Sequence, residues 1–432
     1  MNPELRAVLL SVESLPPEDR QQLLSLLSGD TFDFEGPGPV QSSPPADLSP
    51  GDSTPGRSDL ATECPGRYST REAIGSGGSG NVTAVHDAHL NRVVARKELH
   101  VDGPGAGSVT LTDRFLREAR VTAQLEHPSI VPVYELGRRA SGKLYYTMKR
   151  VRGKGLDVAL RDCKGLPERM ALLGHFVDLC QAIAYAHARG VVHRDIKPMN
   201  VMIGEFGETV VLDWGLARAA GQRDINADEL KRTGDTIHDL GAGRTVHGSV
   251  FGTPAYMSPE QALGWVGKID ARSDVWSLGA VLHEILTGHA PYVADDVFGL
   301  LRKAAVGVVD PLPREVPADL AAIAMRAVEA DPEQRYPSAR ELAEEVEAWR
   351  TGGQVGAYSY SSVELVRRFL ARNRAVVAVV GVGVVVAVAA ALASYAQLKD
   401  ERDRAMPPNR GPRWRWRTPD SGGSSHERKR RR

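Results

Sequence analysis

The sequence predicts an α+β fold in two lobes, followed by one transmembrane helix. Three observations carry this. Short β-like runs ("NVTAVHDA", "RVVARKEL", "LYYTMKRV") fill the first third of a region running from about Tyr68 to Arg350. Helical periodicity fills the rest, as in "ALLGHFVDLCQAIAYAHARG" and "SARELAEEVEAWRTGG", the last ending in glycines that suit a helix stop. Strands first and helices afterwards indicate an α+β arrangement. Finally, "AVVAVVGVGVVVAVAAALASYAQL", from Ala375 to Leu398, has no charged residue for 24 positions. At ~1.5 Å rise per residue that is about 36 Å of helix, enough for a hydrocarbon core of roughly 30 Å. A buried core helix of this length would show a polar stripe, and this run shows none before Ser394.

Composition narrows the class. With 42% hydrophobic and 25% charged residues in 432 positions, the chain is globular with extensions. Net charge is zero but uneven: residues 399–432 hold twelve Lys/Arg against five Asp/Glu, leaving 42 against 49 before them. An acidic body with a basic tail does not fit a nucleic-acid-binding protein. Cys64, Cys163 and Cys180 lie far apart without CxxC spacing, so they are read as reduced thiols with neither disulfide frame nor zinc site.

Along the chain, residues 1–30 carry Leu5, Val8, Leu9 and Val12, then Leu23, Leu24, Leu26 and Leu27, which reads as a short amphipathic extension. Residues 31–66 hold seven prolines and five glycines and read as a disordered linker. A compact domain is expected over 67–350, with an N-lobe at 67–148 and a C-lobe at 152–350. A basic juxtamembrane segment (351–374), the span (375–398) and a basic tail (399–432) complete the chain.

The run "GSGGSGNV", with Gly75, Gly77, Gly80 and Val82, could be slack linker or a phosphate clamp. A Walker A loop needs Lys-Ser/Thr after its last glycine, and Asn81-Val82 stand there. A Rossmann loop must open into a helix, whereas Val82 and Val85 suit a strand. A strand–glycine loop–strand hairpin remains, with Ile74 leading in and Val82 leading out. It would let backbone N–H groups approach phosphates without Cβ obstruction. Fifteen residues on, "VVARKEL" sets Lys97 inside an apolar strand, where an unpaired lysine would be costly. "DRFLREARVTAQLEH" supplies Glu118 as partner, with Phe115, Leu116 and Ala119 facing the core. Alone, Lys97 could equally be a snorkelling edge-strand residue.

"VVHRDIKPMN" is the strongest signal. Asp195, Lys197 and Asn200 stand at offsets suited to accepting a hydroxyl proton, neutralising a transferred phosphoryl group and offering an amide oxygen to a metal. Thirteen residues after Asn200, "TVVLDWG" ends a hydrophobic strand in Asp213, a second hard oxygen ligand suited to Mg²⁺.

With these motifs in this order, residues 68–350 resemble the Hanks-type, eukaryotic-like serine/threonine protein kinases, particularly bacterial membrane-anchored members. The resemblance implies a bilobal protein-kinase fold, ATP and Mg²⁺ (or Mn²⁺) as cofactors, and protein substrates with Ser or Thr. It implies Lys97, Glu118, Asp195 and Lys197 as catalytic residues, and Asn200 and Asp213 as metal ligands. Ile74, the three loop glycines and Val82 would cover the nucleotide. Ala95 and Met202 would sandwich adenine, with Met148 as gatekeeper and Lys149 to Val151 along its edge. "GTPAYMSPEQA" matches the end of the activation segment, Asp274 a brace of the catalytic loop, and Arg335 the structural partner of Glu260. Trp214 departs from the usual phenylalanine after the metal-binding aspartate; its ring can still pack, but its indole N–H needs a partner. Lys197 and Thr253 together favour hydroxyls of serine or threonine over tyrosine.

The segment from Asp213 to Glu260 is long, polar and glycine-rich in its middle, which is usual for functional or disordered loops. Arg194 is a cation awaiting an anion. One reading is that phosphorylation at Thr245, Ser249 or another hydroxyl pairs with Arg194 and orders the segment. The other is an ordered loop with Arg194 in an ordinary salt bridge.

ATP is cytoplasmic, so the catalytic domain is expected on the cytoplasmic face of a bacterial membrane, as a single-pass protein. The positive-inside rule opposes this: "RRFLARNR" offers four arginines, and the first 19 residues after the span offer seven Lys/Arg. "LKDERDRA" reads as helix continuing past the bilayer. The remaining ~27 residues read as an out-of-frame or truncated end, or as an Arg/Trp segment binding anionic lipid headgroups. The bilayer and, for trans-phosphorylation, a transient second copy of the chain are the implied partners. A catalytically silent membrane scaffold is the alternative function. It needs the loss of Lys97, Asp195 or Asp213, and all three are present. A small-molecule phosphotransferase is opposed by the full "GTPAYMSPE" peptide platform.

Overall fold

The computed structural model describes residues 60–77, 80–100, 109–221, 224–241, 253–362, 364 and 374–405. The chain falls into two units, one ending at Ser359 and the other beginning at Tyr360. The α+β arrangement in two lobes expected from the sequence is the one observed.

The first lobe is an antiparallel sheet of β1 (Tyr68–Gly77), β2 (Gly80–Asp87), β3 (Arg92–Leu99), β4 (Val133–Arg138) and β5 (Leu144–Met148), in the order β1-β2-β3-β5-β4. Its register sets Val82 opposite Lys97, Ala95 opposite Met148 and Lys97 opposite Tyr146. Helix α1 (Val109–Ala123) crosses between β3 and β4. Its Phe115, Leu116 and Ala119, spaced on one helical face, are buried with Leu99, Leu144 and Tyr146.

Two boundaries differ from the sequence reading. Residues 60–66 were grouped with the linker, yet Leu60 packs on the sheet's core. The Glu63 N–H donates to the Arg138 carbonyl at 2.7 Å, and the Arg138 N–H to Ala61 at 2.9 Å. The Glu63 carboxylate also meets the buried Arg96 at 3.7 Å. An edge strand with free backbone groups is a template for such pairing, which local composition does not reveal. At the other end, Val355 is buried, and the N–H groups of Gly356 and Ala357 donate to the Glu345 carboxylate, so the first unit continues past 350.

The second lobe begins with β6 (Gly153–Gly155), α2 (Leu156–Asp162), α3 (Leu166–Met170) and α4 (Leu173–Ala188). β7 (Val191–Val192), β8 (Val201–Gly204), β9 (Thr209–Val211) and β10 (Arg218–Ala219) follow; β6, β8 and β9 form one small sheet and β7 pairs with β10. Next come α5 (Ala227–Gly241), α6 (Pro259–Ala262), α7 (Ala271–Thr287), α8 (Val297–Val306), α9 (Ala318–Ala327) and α10 (Ala339–Arg350). Helix α7 is buried nearly all round, as a central helix must be. It starts at an Asp270 capping box and stops at Gly288, whose φ of 89° closes it in the left-handed conformation.

Helix α5 corrects the expectation of a structureless loop. Leu230, Thr233 and Ile237 recur at helical spacing and are buried, and Asp228 and Glu229 sit in the first turn, where the helix dipole favours acids. Gly234 permits the docking: a Cβ there would lie 2.4 Å from the Leu263 carbonyl oxygen.

The second unit contains α11 (Arg374–Ala405), a 32-residue helix. It is the one helix among the described residues long and apolar enough to cross a membrane. Val382, Val384, Val385 and Leu392 lie open on its surface, an apolar exterior suited to lipid. Residues 399–405, part of the run "LKDERDRA" expected to continue as helix past the apolar stretch, are its last turns, with Arg404 on Asp400 at 3.0 Å. The rest of the tail, and the 1–30 extension, lie outside the described residues.

Candidate active site

A cleft in the first unit is lined by the β1–β2 hairpin, β3, α1, β5 and its continuation, and the β8–β9 hairpin with the residues around it. Its roof is Ile74, Gly75, Gly77, Gly80 and Val82. The glycines differ in what demands them. At Gly80 a Cβ would strike the Glu98 carbonyl at 2.2 Å, so packing alone requires glycine there. At Gly75 and Gly77 a Cβ would meet nothing within 4 Å. Their missing side chains leave open space on the cleft side, as a backbone made for close approach by a ligand requires.

Lys97 reaches from β3 to Glu118 on α1 at 2.5 Å, both buried. The Tyr146 hydroxyl donates to the same Glu118 oxygen at 2.7 Å. Burial alone would lower the Lys97 pKa, but the carboxylates of Glu118 and Asp213 hold it above the ordinary lysine value. It therefore stays an ammonium at neutral pH. A lysine flanked by two carboxylates and opening on the cleft is built to meet anionic oxygens.

The floor is the loop after β7. Asp274 of α7, fully buried, accepts the backbone N–H groups of His193 and Arg194 at 2.8 Å each and the His187 ring at 2.7 Å. Burial would push the Asp274 carboxyl up, yet these contacts and the charges of His187 and His193 hold it below the ordinary carboxylate range. Asp195 is thereby presented half-buried. It accepts from the Lys197 ammonium at 2.7 Å, and Asn200 Nδ2 donates to its carbonyl at 2.9 Å. That bond fixes the Asn200 amide, leaving Oδ1 as its acceptor end. Lys197 also donates to the Thr253 hydroxyl at 2.8 Å, which lies 3.5 Å from the other Asp195 oxygen. Thr253, read from sequence with Lys197 as favouring Ser and Thr hydroxyls, thus sits in one cluster with Lys197 and Asp195.

Asp213 follows β9 with a φ of 55°, and Arg194 has a φ of 70°. Non-glycine residues held in the left-handed region cost roughly 1–2 kcal/mol each and persist only where surroundings impose them. Solvent reaches Asp213 through the cleft, although it sits deep. Burial would raise its carboxyl, but the Lys97 charge, the Gly215 N–H at 3.3 Å, and His193 and Lys197 keep it below the ordinary range. Asp213 and Asn200 line the same cleft and are both hard oxygen donors. No cluster of three His, Cys, Asp or Glu able to hold a metal occurs among the described residues. Mg²⁺ takes one or two carboxylates plus phosphate oxygens and water, so Asp213 and Asn200 are of the donor type that would hold it.

The cleft's remaining walls are Ala95 and Met202, with Met148 and the run from Lys149 to Val151 along the back edge. Six lining residues were missed by the sequence reading: Ser76, Thr122, Val131, Tyr146, Met199 and Leu212. Tyr146 was legible in principle, because strand alternation puts it on the same face as Met148. Leu212 and Val131 are apolar residues in apolar runs, indistinguishable from core.

One structural expectation holds in full and one in part. Arg335 meets Glu260 through two bonds of 2.8 and 2.9 Å, both side chains buried. Trp214 is buried against the His193 ring, centroids 4.5 Å apart, but its indole N–H has no acceptor among the described residues. Arg194 meets Asp224 at 2.7 Å, the ordinary salt bridge that stood as the alternative to a phosphorylated partner. Thr245 and Ser249 lie outside the described residues.

The protein kinase domain model matches residues 68–346. The chain is 36% identical over 306 residues to the serine/threonine-protein kinase PknD of Chlamydia pneumoniae, covering 66% of this chain and 31% of the relative. It is 36% identical over 302 residues to that of Protochlamydia amoebophila (66% and 30%). A probable serine/threonine-protein kinase of Streptomyces coelicolor is 38% identical over 302 residues, covering 68% of this chain and 41% of the relative. The chain thus spans about a third of the length of the chlamydial relatives it matches. A cleft with this arrangement, in the stretch that the family model covers, places the chain in the protein kinase domain family.

Proposed function

We propose that the chain is a membrane-anchored serine/threonine protein kinase. It transfers the ATP γ-phosphoryl group to Ser and Thr hydroxyls of proteins, including hydroxyls in its own segment between Asp213 and Glu260. The observation that carries this is the closed Lys97–Glu118 pair, 2.5 Å long, in the same cleft as Asn200 and Asp213 and beside the Asp195–Lys197–Thr253 cluster.

The residues divide the work. Lys97 binds the α- and β-phosphates, and the glycine hairpin covers them. Asn200 and Asp213 would hold Mg²⁺, which supplies charge neutralisation on the phosphates. Asp195 orients the substrate hydroxyl and receives its proton as the oxygen bonds to phosphorus and the bridging bond to ADP breaks. Lys197 lies within reach of the same oxygens and neutralises negative charge on the transferred group. Thr253 anchors the Lys197 ammonium on the side where a peptide would enter.

Because ATP is cytoplasmic, the kinase unit faces the cytoplasm and α11 is the single span. Membrane anchoring restricts encounters to neighbours at the bilayer, among them a second copy of the chain.

The test is ³²P transfer from Mg-ATP to the chain itself and to a generic basic protein, with wild type, Lys97→Met and Asp195→Asn. Label in wild type and none in either variant is expected. Wild type that binds Mg-ATP and transfers nothing leaves the silent scaffold standing.

A further inference from the structure

Arg194 is held at three points. Its backbone N–H donates to Asp274 at 2.8 Å, its carbonyl accepts from Gln261 Nε2 at 2.8 Å, and its guanidinium meets Asp224 at 2.7 Å. The first two contacts come from the second lobe's frame. The third comes from the segment that connects Asp213 to Glu260.

Asp224 serves more than Arg194. Arg117 stands next to Glu118 on α1, and Arg218 on β10 pairs with Val192 of β7, close to the catalytic loop. Both feel the charges of Asp224 and Arg194. Burial pushes both guanidiniums down, each crowded by Arg194, with Asp224 opposing. One carboxylate thus stands among guanidiniums from three elements: α1, the catalytic loop and β10. Burial would raise that carboxyl, yet Arg194 and Arg218 hold it below its ordinary range, so it stays charged.

The carboxylate is itself fixed. Asp224 accepts the Asn226 N–H at 3.1 Å, and Asn226, fully buried, donates from Nδ2 to the Leu216 carbonyl at 3.4 Å. Helix α5 begins at the next residue and touches α1 again, where Glu229 forms an ion pair with Arg114. Arg114 and Glu118 are four apart on α1 and share a side of that helix. The segment therefore grips α1 one turn before the residue that holds Lys97.

We propose that Asp224 is a positioning residue for phosphoryl transfer: a built-in carboxylate that fixes Arg194, and so the adjoining Asp195, without phosphorylation of the segment. With the Glu229–Arg114 pair it also steadies α1 so that Glu118 stays on Lys97. Without Asp224, Arg194 would lose its anion, and the charges of Arg117 and Arg218 that crowd it would go unopposed by that carboxylate in a poorly solvated place. The inference rests on the kinase function proposed above.

The test uses the full chain in lipid nanodiscs, as wild type and as a Thr245→Ala/Ser249→Ala variant. Both are stripped of phosphate by a protein phosphatase, checked by mass spectrometry and assayed for initial rates on a basic protein. The stripped forms are expected to keep their kcat within about threefold of untreated wild type. Asp224→Ala and Asp224→Asn should lower kcat by about 10- to 100-fold with KM for ATP little changed, as for a lost charge-assisted contact acting on the transfer step. Asp224→Glu should recover most of the rate, which a space-filling role would not produce.

A stripped wild type slowed more than about tenfold, and restored by preincubation with ATP, would identify added phosphate as the anion and overturn the proposal. So would Asp224→Ala working like wild type. Thermal melting shows whether an Asp224 variant has unfolded, in which case the phosphatase arm decides alone. Untreated wild type that transfers nothing sinks the kinase function and this inference with it. Loss only after phosphatase treatment sinks this inference alone.

Discussion

Lys197 and Thr253, 56 positions apart in the chain, meet at 2.8 Å, and the Thr253 hydroxyl stands 3.5 Å from Asp195. The contact closes this cluster over the loop that holds Asp195. Thr253→Ala should lower kcat on a protein substrate by about 10- to 100-fold, the consequence of losing a hydrogen bond to a charged group worth roughly 1.5–3 kcal/mol. Thr253→Ser should keep most of the rate. Nucleotide affinity, read by fluorescence titration with Mg-ATP, should change little in either. An Ala variant as fast as wild type would remove Thr253 from the machinery.

Asp213 is held ionised below the ordinary carboxylate range. Asp213→Asn should abolish transfer and leave nucleotide binding insensitive to Mg²⁺. Chelation by EDTA should stop wild-type transfer and excess Mg²⁺ should restore it. Calorimetric titration of ATP with and without Mg²⁺ checks both. Equal ATP affinity with and without the metal in wild type would contradict the role given to Asp213 and Asn200.

Trp214 buries an indole N–H with no acceptor among the described residues. A buried unsatisfied donor costs about 1–3 kcal/mol. Trp214→Phe keeps a large apolar ring against His193 and removes the donor, so the variant should melt at the same temperature or higher and retain activity. Lower melting by several degrees would mean that the lost packing outweighs the removed donor.

Glu260 and Arg335 are buried and fully hydrogen-bonded; Arg335 also donates to the carbonyls of Glu329, Arg272 and Ala330. Glu260→Ala leaves an uncompensated guanidinium and should destabilise by about 3–5 kcal/mol. Burial raises the Glu260 carboxyl but Arg335 and Ser273 bring it below its ordinary value. This stabilisation is present above the unfolded carboxyl's value near ~4.3 and is lost as pH falls through the depressed folded value. Urea melts at pH 7 and pH 4 of wild type and variant test the pairing: the difference between them should shrink in acid.

His283 is fully buried, its ring nitrogen 2.9 Å from the Asp310 carbonyl. Burial holds its pKa below the ordinary histidine value, against the Asp310 bond and together with the His289 charge. The folded ring stays neutral while the unfolded one takes a proton below about pH 6.5. The unfolded state then binds more protons, and stability falls with acid. Between pH 7 and 5.5, wild type should lose more melting temperature than His283→Gln, whose amide can donate to the same carbonyl. Parallel profiles would refute it.

The family's chemistry was written locally. Asp195, Lys197 and Asn200 fall within six residues, and the glycine hairpin, Lys97 and Asp213 each sit in a short motif whose spacing survives any packing. Strand and helix order, and the uncharged run that became α11, were likewise legible because period and hydropathy are properties of neighbours in sequence. What only the tertiary structure decided is which distant groups share a charge or a surface. Asp224 beside Arg194, Glu229 on Arg114, residues 60–66 on the sheet and Thr253 over Asp195 all join segments far apart in the chain. A carboxylate in a polar stretch reads the same whether it faces water or a buried guanidinium, and folding alone makes that choice, because only burial turns a weak surface attraction into a fixed contact.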